Sequence, residues 1–285
     1  MPDALALSAI ILSYNDEQLL RAALESVTGW ISEIFVVDSG STDRTREIAR
    51  EFTDNIVVHP FENYAAQRNW AQDNLPLHHE WILHLDADER VTPELRHSLE
   101  LFFASSQPHT VNGLLIARRT VFMGRWIKHG GHYPVYHLRV FRRVKGRCED
   151  RLYDQHFTVS GPTLLLQGDI IDTITTSLDN WMLRHIRWAS LEVQEQQQEQ
   201  PQTVSVSESR SGTPIEQRRW YKNSVYNRLP LFTRAFAYFF YRYILRFGFL
   251  DGPQGLIFHI LQGFWFRFYI DAKLWEERSK IHRLP

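Results

Sequence analysis

Residues 81–90 read WILHLDADER, an apolar run from Trp81 to Leu85 that stops at two aspartates, Asp86 and Asp88. A short apolar run bounded by polar residues is a buried strand. On an extended backbone residues i and i+2 point to the same side, so both carboxylates can converge on one hard cation. Such a cation takes oxygen ligands and reaches substrate phosphates as well, which suits magnesium or manganese and not zinc. Outward toward the N-terminus the chain alternates strand and helix. Strands are expected at 7–12, 33–37 and 56–59, and helices at 17–27, 43–52 and 64–74. That order predicts an α/β fold with a mostly parallel sheet flanked by helices, in which ligands bind beyond the carboxyl ends of the strands.

Two further strand ends carry polar motifs. VVDSGSTDRT, residues 36–45, places Asp38 where a buried strand ends, with a tight turn at 39–41 and Thr42 or Asp43 to cap the next helix. A carboxylate at Asp38 can accept hydrogen bonds from a base or ribose. SYN, residues 13–15, ends the first strand, and AAQRNW sets Gln67 and Arg68 on a helix, where Arg68 can reach a nucleotide.

Beyond Thr92 and Pro93, which start a helix, the pattern is mixed and more aromatic, with strands expected at 112–119 and 136–142. The polar, repetitive stretch at 194–212 reads as a flexible linker. The expected organisation is therefore a catalytic domain at 1–193, divided near residue 120, then a linker at 194–216 and a helical region at 217–285. Helices are expected at 231–247 and 256–275, separated by the turn signal Leu250-Asp251-Gly252-Pro253.

Of the 285 residues, 44% are hydrophobic and 23% are charged, with 32 Lys and Arg against 33 Asp and Glu. This balance leaves no global field to recruit nucleic acid. Cys148 is the single cysteine and reads as a small apolar filler. No secretory signal is evident at the N-terminus and no apolar run reaches the length of a spanning helix, so a cytoplasmic protein is expected.

Taken together, SYN, VVDSGSTDRT, QRN and LDADER in this order and spacing resemble the N-terminal half of family 2 glycosyltransferases, which have the Rossmann-like GT-A fold. The stretch FMGRWIKHGGHYP with LRVFRR, residues 122–143, further resembles the lipopolysaccharide core branch of the WaaE/KdtX type. The resemblance implies inverting, metal-dependent transfer of a sugar, of the hexosyl type, from a nucleotide-diphosphate sugar, usually a UDP-sugar, to the hydroxyl of a glycan or lipid-linked acceptor. It implies that Ser13, Asn15 and Asp38 line the nucleotide pocket with Arg68 nearby. It makes Asp88 the principal ligand of Mn2+ or Mg2+, and Asp86 a contact to ribose or metal. Two other classes compete: a non-catalytic nucleotide-sugar-binding protein on membranes, and a nucleotidyltransferase, whose usual glycine-rich phosphate loop ILSYNDEQ lacks.

The second half is expected to hold the acceptor. His129, Gly130, Gly131, His132 and Tyr133 read as a polar, flexible loop whose glycines let a backbone approach a sugar. Arg139, Arg142 and Arg143 are either diphosphate contacts or alternating charges on an edge strand. Inversion in one displacement needs a carboxylate base. The candidates are Glu149, Asp150, Asp154, Asp169 and Asp172. Asp154 is favoured because it precedes an expected strand at 157–159, with Asp150 next. The related enzymes carry a His-Glu pair about where this chain has Asp154 and Gln155. Finally, Arg234, Tyr238, Arg242 and Arg246 recur every four residues, a polar stripe on a helix otherwise loaded with Phe232, Phe236, Phe239, Phe240, Ile244 and Phe247. This pattern predicts a helix lying in the membrane interface, arginines toward headgroups, on the inner face of the cell membrane.

Overall fold

The computed structural model describes residues 4–174, 177–197 and 205–281. They form two compact units that interleave along the chain. One comprises the described residues up to Arg118, Tyr136–Asp150 and Gln155–Thr173; the other comprises Arg119–Val135, Arg151–Asp154 and the described residues from Ile174 onward. These units do not follow the linear division at residues 193 and 216, because the chain leaves the first unit after Arg118 and returns to it at Tyr136.

The first unit runs β1 (Leu5–Ser13), α1 (Leu20–Val27), β2 (Ile31–Asp38), α2 (Thr45–Arg50), β3 (Ile56–Val58), α3 (Tyr64–Asn74), β4 (Trp81–Asp86), β5 (Glu89–Val91) and α4 (Pro93–Ala104). It continues through β6 (Gly113–Phe122), whose last residues enter the second unit together with β7 (Arg125–Trp126). Then come β8 (Tyr136–Arg142), β9 (Gly146–Cys148), β10 (Phe157–Val159) and β11 (Thr163–Ile174). The sheet order is β3-β2-β1-β4-β8-β6-β11-β5. The pairs β3-β2, β2-β1 and β1-β4 are parallel, as the strand-helix alternation predicts. From β4 to β8 onward the resolved pairings are antiparallel.

β1 is buried on both faces, the mark of a central strand covered by helices on each side. Leu7, Ala9 and Ile11 join Leu20, Leu24 and Val27 of α1 and Leu95, Leu99 and Phe102 of α4 in one core. Burying each such large side chain contributes about 1.5–3 kcal/mol. α3 is tied to the β9 region by Gln72, which donates to the Arg143 and Gly146 carbonyls at 2.6 and 2.7 Å, and by Asn69, which exchanges hydrogen bonds with the Cys148 backbone. Cys148 is buried, as expected of a filler.

The second unit packs α5 (Leu178–Gln197), α6 (Pro214–Ser224), α7 (Thr233–Phe240), α8 (Gly252–Phe258) and α9 (Phe266–Ile281), with π-helical turns at Tyr241–Leu245 and His259–Trp265. The segment expected as linker is helical to Gln197, because Glu195 pairs with Arg151 at 3.0 Å and accepts from the Leu152 amide at 2.8 Å. Thr213, Pro214 and Glu216 then start α6 with a capping box. Residues 198–204 of the expected linker lie outside the described residues.

Two arginines of the expected polar stripe turn inward, Arg234 on α7 and Arg242 in the π-helical turn after it, whereas Arg246 is exposed. Arg234 is buried against Asp271, 2.7 Å from Nε, and Arg242 is buried against the Gly130 carbonyl at 2.6 Å. Phe236, Phe240, Leu245 and Phe247 are each more than half exposed. Periodicity defines two faces of a helix, and here the guanidinium partners on neighbouring segments select the inward one.

His185 stacks on Trp181 at 3.4 Å between centroids and donates from Nδ1 to the Trp181 carbonyl at 2.8 Å, with Nε2 2.8 Å from the Gln262 amide. Burial pushes it down to about 4. Unfolded, it titrates near 6.5, so between these values the unfolded chain binds more protons. Its contribution is complete above pH 6.5 and is lost as pH falls toward 4. From pH 7 to 5 it costs about 2 kcal/mol. His84 and His259 act in the same sense. The urea midpoint should therefore fall from pH 7 to 5, and fall less in His185→Gln; equal losses in both proteins would contradict this account.

Candidate active site

The parallel registers align the polar strand ends. Ser13 lies opposite Asp38, and Leu12 opposite Asp86, so SYN, Asp38 and LDADER meet at the carboxyl edge of the first unit. Asp38 is fully buried. Its Oδ1 accepts from the Gly40 and Ser41 amides at 3.1 and 2.9 Å, and its Oδ2 from the Ser41 hydroxyl. It thus shapes the turn, in which Gly40 adopts φ +88° with open space where a Cβ would stand. Asn15, at φ 54°, joins the two strand ends: its amide donates to Ser41 Oγ and its Oδ1 accepts from the Thr42 amide, both at 2.9 Å. Asp43 accepts from Thr45 and the Glu17 amide, a helix-start cap. Ser13 is buried, and its hydroxyl has no hydrogen-bond partner among the described residues.

Asp86 closes β4 between two arginines. Arg68 Nη2 lies 3.0 Å from both of its oxygens, and Arg139 Nη2 lies 3.2 Å from Oδ2 while also pairing with Glu89. Burial alone pushes the Asp86 carboxyl up, but Arg68 and Arg139 outweigh it and hold the group below the usual range. Asp88 has no such pairing. Burial first, then Asp172, Asp86, Glu89 and Asp16, push it well above the ordinary value. Burial and its acidic neighbours similarly raise Glu89 to about 7 against the pull of Arg139.

Asp86 and Asp88 are separated by a turn rather than lying on one continuous strand. Their convergence is completed from elsewhere, since Asp172 on β11 stands opposite Glu89 in the antiparallel pairing with β5. Asp16 and Glu89 were not singled out from the sequence. The signal for Asp16 is its place directly after SYN, whereas Glu89 needed the β5 to β11 register. Among the described residues no three His, Cys, Asp or Glu side chains form a ready metal cage.

β8 lies inside the sheet between β4 and β6, not at an edge. Arg139 faces the carboxylates. Arg142 instead pairs with Glu80, and Arg143 donates to the Leu77 carbonyl at 3.3 Å. Glu149 is fully buried and accepts from the His156 amide at 2.9 Å; Asp150 is exposed.

The second unit holds the other expected positions. The loop at 129–133 is pinned rather than loose. His129 Nδ1 and its amide lie 2.7 and 2.8 Å from the Asp251 carboxylate, Gly130 donates to the Arg246 carbonyl at 2.8 Å, and His132 Nδ1 lies 2.9 Å from Arg242. Gly130 is required there, because a Cβ would come within 2.2 Å of the His259 ring. Tyr133 packs edge-on to Trp126 at 4.9 Å. Asp154, at φ 57°, pairs with Lys222 at 3.0 Å.

Residues 8–167 match the family model described as Glycosyl transferase family 2. Over 150 residues the chain is 33% identical to the lipopolysaccharide core biosynthesis glycosyltransferase LpsC of Rhizobium meliloti, covering 51% of this chain and 54% of LpsC. An uncharacterized glycosyltransferase of Rickettsia felis is 36% identical over 99 residues, 35% of this chain and 34% of that protein. The aligned part thus spans about a third to a half of these relatives. Among solved structures, S. aureus TarS aligns with a TM-score of 0.45 at 14% identity, covering 95% of this chain and 91% of that one. The family model covers more than half of the chain. The chain belongs to glycosyl transferase family 2.

Proposed function

We propose that this protein is an inverting glycosyltransferase that moves a sugar, of the hexosyl type, from a nucleotide-diphosphate sugar, a UDP-sugar foremost, to a hydroxyl of a glycan or lipid-linked acceptor in lipopolysaccharide or cell-surface polysaccharide assembly. The observation that carries this reading is the meeting of Ser13, Asp38 and Asp86 at the carboxyl ends of β1, β2 and β4, with Asp86 paired to Arg68 and Arg139 and Asp88 in the turn beyond it. Membership of the family and the name of LpsC support it. The all-oxygen donor set fits Mn2+ or Mg2+ held by Asp88 with Asp86 beside it; that ion supplies Lewis-acid stabilisation of the diphosphate.

The chain's own residues do the rest. Ser13, Asn15 and Asp38 form the wall for the nucleotide, and Arg68 orients Asp86 toward it. The loop of His129, His132 and Tyr133 receives the acceptor. The base takes the proton of the acceptor hydroxyl, whose oxygen forms the new bond to the anomeric carbon as the bond to the diphosphate breaks and the nucleotide leaves with the electron pair. We assign the base to Asp154, with Asp150 as runner-up and Glu149, already bonded to His156, third. Lys222 lies 3.0 Å from Asp154, and the left-handed backbone there is the kind of strain found at active sites.

The protein is also proposed to sit on the inner face of the membrane. No described helix is long and apolar enough to cross one. Phe236 and Phe240 of α7, with Leu245 and Phe247 just beyond it, are exposed. Arg125, Lys128 and Arg246 are exposed in the same unit, and Arg125 lies 3.3 Å from the Leu250 carbonyl. Aromatic rings ringed by cations suit an anionic lipid interface.

Incubation with a panel of nucleotide sugars and Mn2+ or Mg2+ should release nucleotide from one donor; release from none, with donor still bound, would favour a non-catalytic binding protein. Asp88→Asn should abolish metal-dependent donor binding in calorimetry with the fold intact, and unchanged affinity would refute the metal assignment. Asp154→Asn should keep donor affinity and lose turnover by roughly 10²–10⁴; near-normal turnover alongside collapse in Asp150→Asn moves the base to Asp150. Replacing Phe236, Phe240 and Phe247 by Ser should end co-sedimentation with phosphatidylglycerol liposomes, and undiminished sedimentation would remove the membrane face.

A further inference from the structure

Within the second unit two arginines from different helical segments meet at one phenol. Arg242 Nη1 donates to the Tyr238 hydroxyl at 2.9 Å, and its guanidinium carbon lies 5.3 Å from the Tyr238 ring centre. Arg267, on α9, places its guanidinium carbon 5.6 Å from the same ring. Arg242 also donates to the neutral acceptors Gly130 O and His132 Nδ1, and its guanidinium has further N–H groups to offer. Arg267 makes no hydrogen bond or ion pair among the described residues; its ring neighbours are Tyr238 and Phe266. The nearby Glu192 carboxylate is engaged by Lys222 at 3.1 Å and by Gln196 at 3.0 Å.

A half-buried guanidinium without a carboxylate is costly unless an anion completes it. We propose that Arg242 and Arg267 around Tyr238 form a binding site for a phosphoryl group carried by the acceptor. Guanidinium forks match the several oxygens of a phosphate, and the phenol adds a hydroxyl donor. The electrostatics agree: burial pushes the Tyr238 phenol up, yet Arg242, Arg267 and Arg218 outweigh it and bring it to about 8, whereas burial carries Tyr226 up to about 12. The proposal rests on the acceptor reading above, but its test uses neither donor nor turnover, so the two can fail separately.

Inorganic pyrophosphate is titrated calorimetrically into the intact chain in EDTA at constant ionic strength. The wild type should bind, acetate should not, and Arg267→Gln should weaken binding by roughly tenfold or more, the scale of one lost charge-assisted hydrogen bond. Tyr238→Phe, which removes the hydroxyl and keeps the ring, should weaken it likewise and decides the matter if Arg267→Gln fails to fold. No binding by the wild type, equal binding of acetate, or unchanged affinity in folded variants would overturn the proposal. A parallel arm adds pyrophosphate to the protein on phosphatidylglycerol vesicles. The proposal expects no release; release would assign the arginines to lipid headgroups and overturn the acceptor assignment.

Discussion

The pairing of Asp86 with Arg68 and Arg139 fixes what the carboxyl edge of the sheet can do. Three charged side chains from α3, β4 and β8 are drawn out of water together, and Arg139 extends the group to Glu89 on β5. Burying such charges costs several kcal/mol per ion unless each is paired and hydrogen-bonded, so removal of one partner would strand the others. The same pairing uses up the positive charge near LDADER. Asp88, in the turn that follows Asp86, has no cation paired to it among the described residues, and burial with Asp172, Asp86, Glu89 and Asp16 pushes its carboxyl well above the ordinary value. On the proposed reading, a cation is held there jointly by Asp88 and the diphosphate of the donor.

The second unit uses arginine differently. Arg234 meets Asp271, which also accepts from the Phe232 amide at 2.7 Å, and this anchors the start of α7 against α9. Arg242 reaches the Gly130 carbonyl and so holds the HGGH loop. With these side chains turned inward, the aromatic residues of the same helix remain on the surface. An amphipathic helix commonly buries its apolar face, and the inversion here is set by specific guanidinium partners rather than by hydrophobic transfer.

The parallel half of the sheet was legible because strand, helix and polar strand end recur locally, and the alignment of Ser13, Asp38 and Asp86 follows from parallel registers. Residues joined by long-range pairing were not legible. Glu89 and Asp172 face each other only because β11 returns antiparallel to β5, a register that no local period encodes. Gly130 read as freedom of the backbone, whereas its missing side chain makes room for His259 from a distant helix. Periodicity separated the two faces of α7 but carried no information about which one had partners. The tight turn at Asp38 was visible in the sequence; that its carboxylate is occupied by that turn was not.

The central claim is that the cluster around Asp88 is completed by the diphosphate of the donor. Electron paramagnetic resonance of free Mn2+ tests it directly: with the intact chain alone most of the aqueous signal should remain, and adding UDP should remove it well beyond what UDP removes without protein. Full loss of the signal with protein alone, or no difference between UDP with and without protein, would contradict the account.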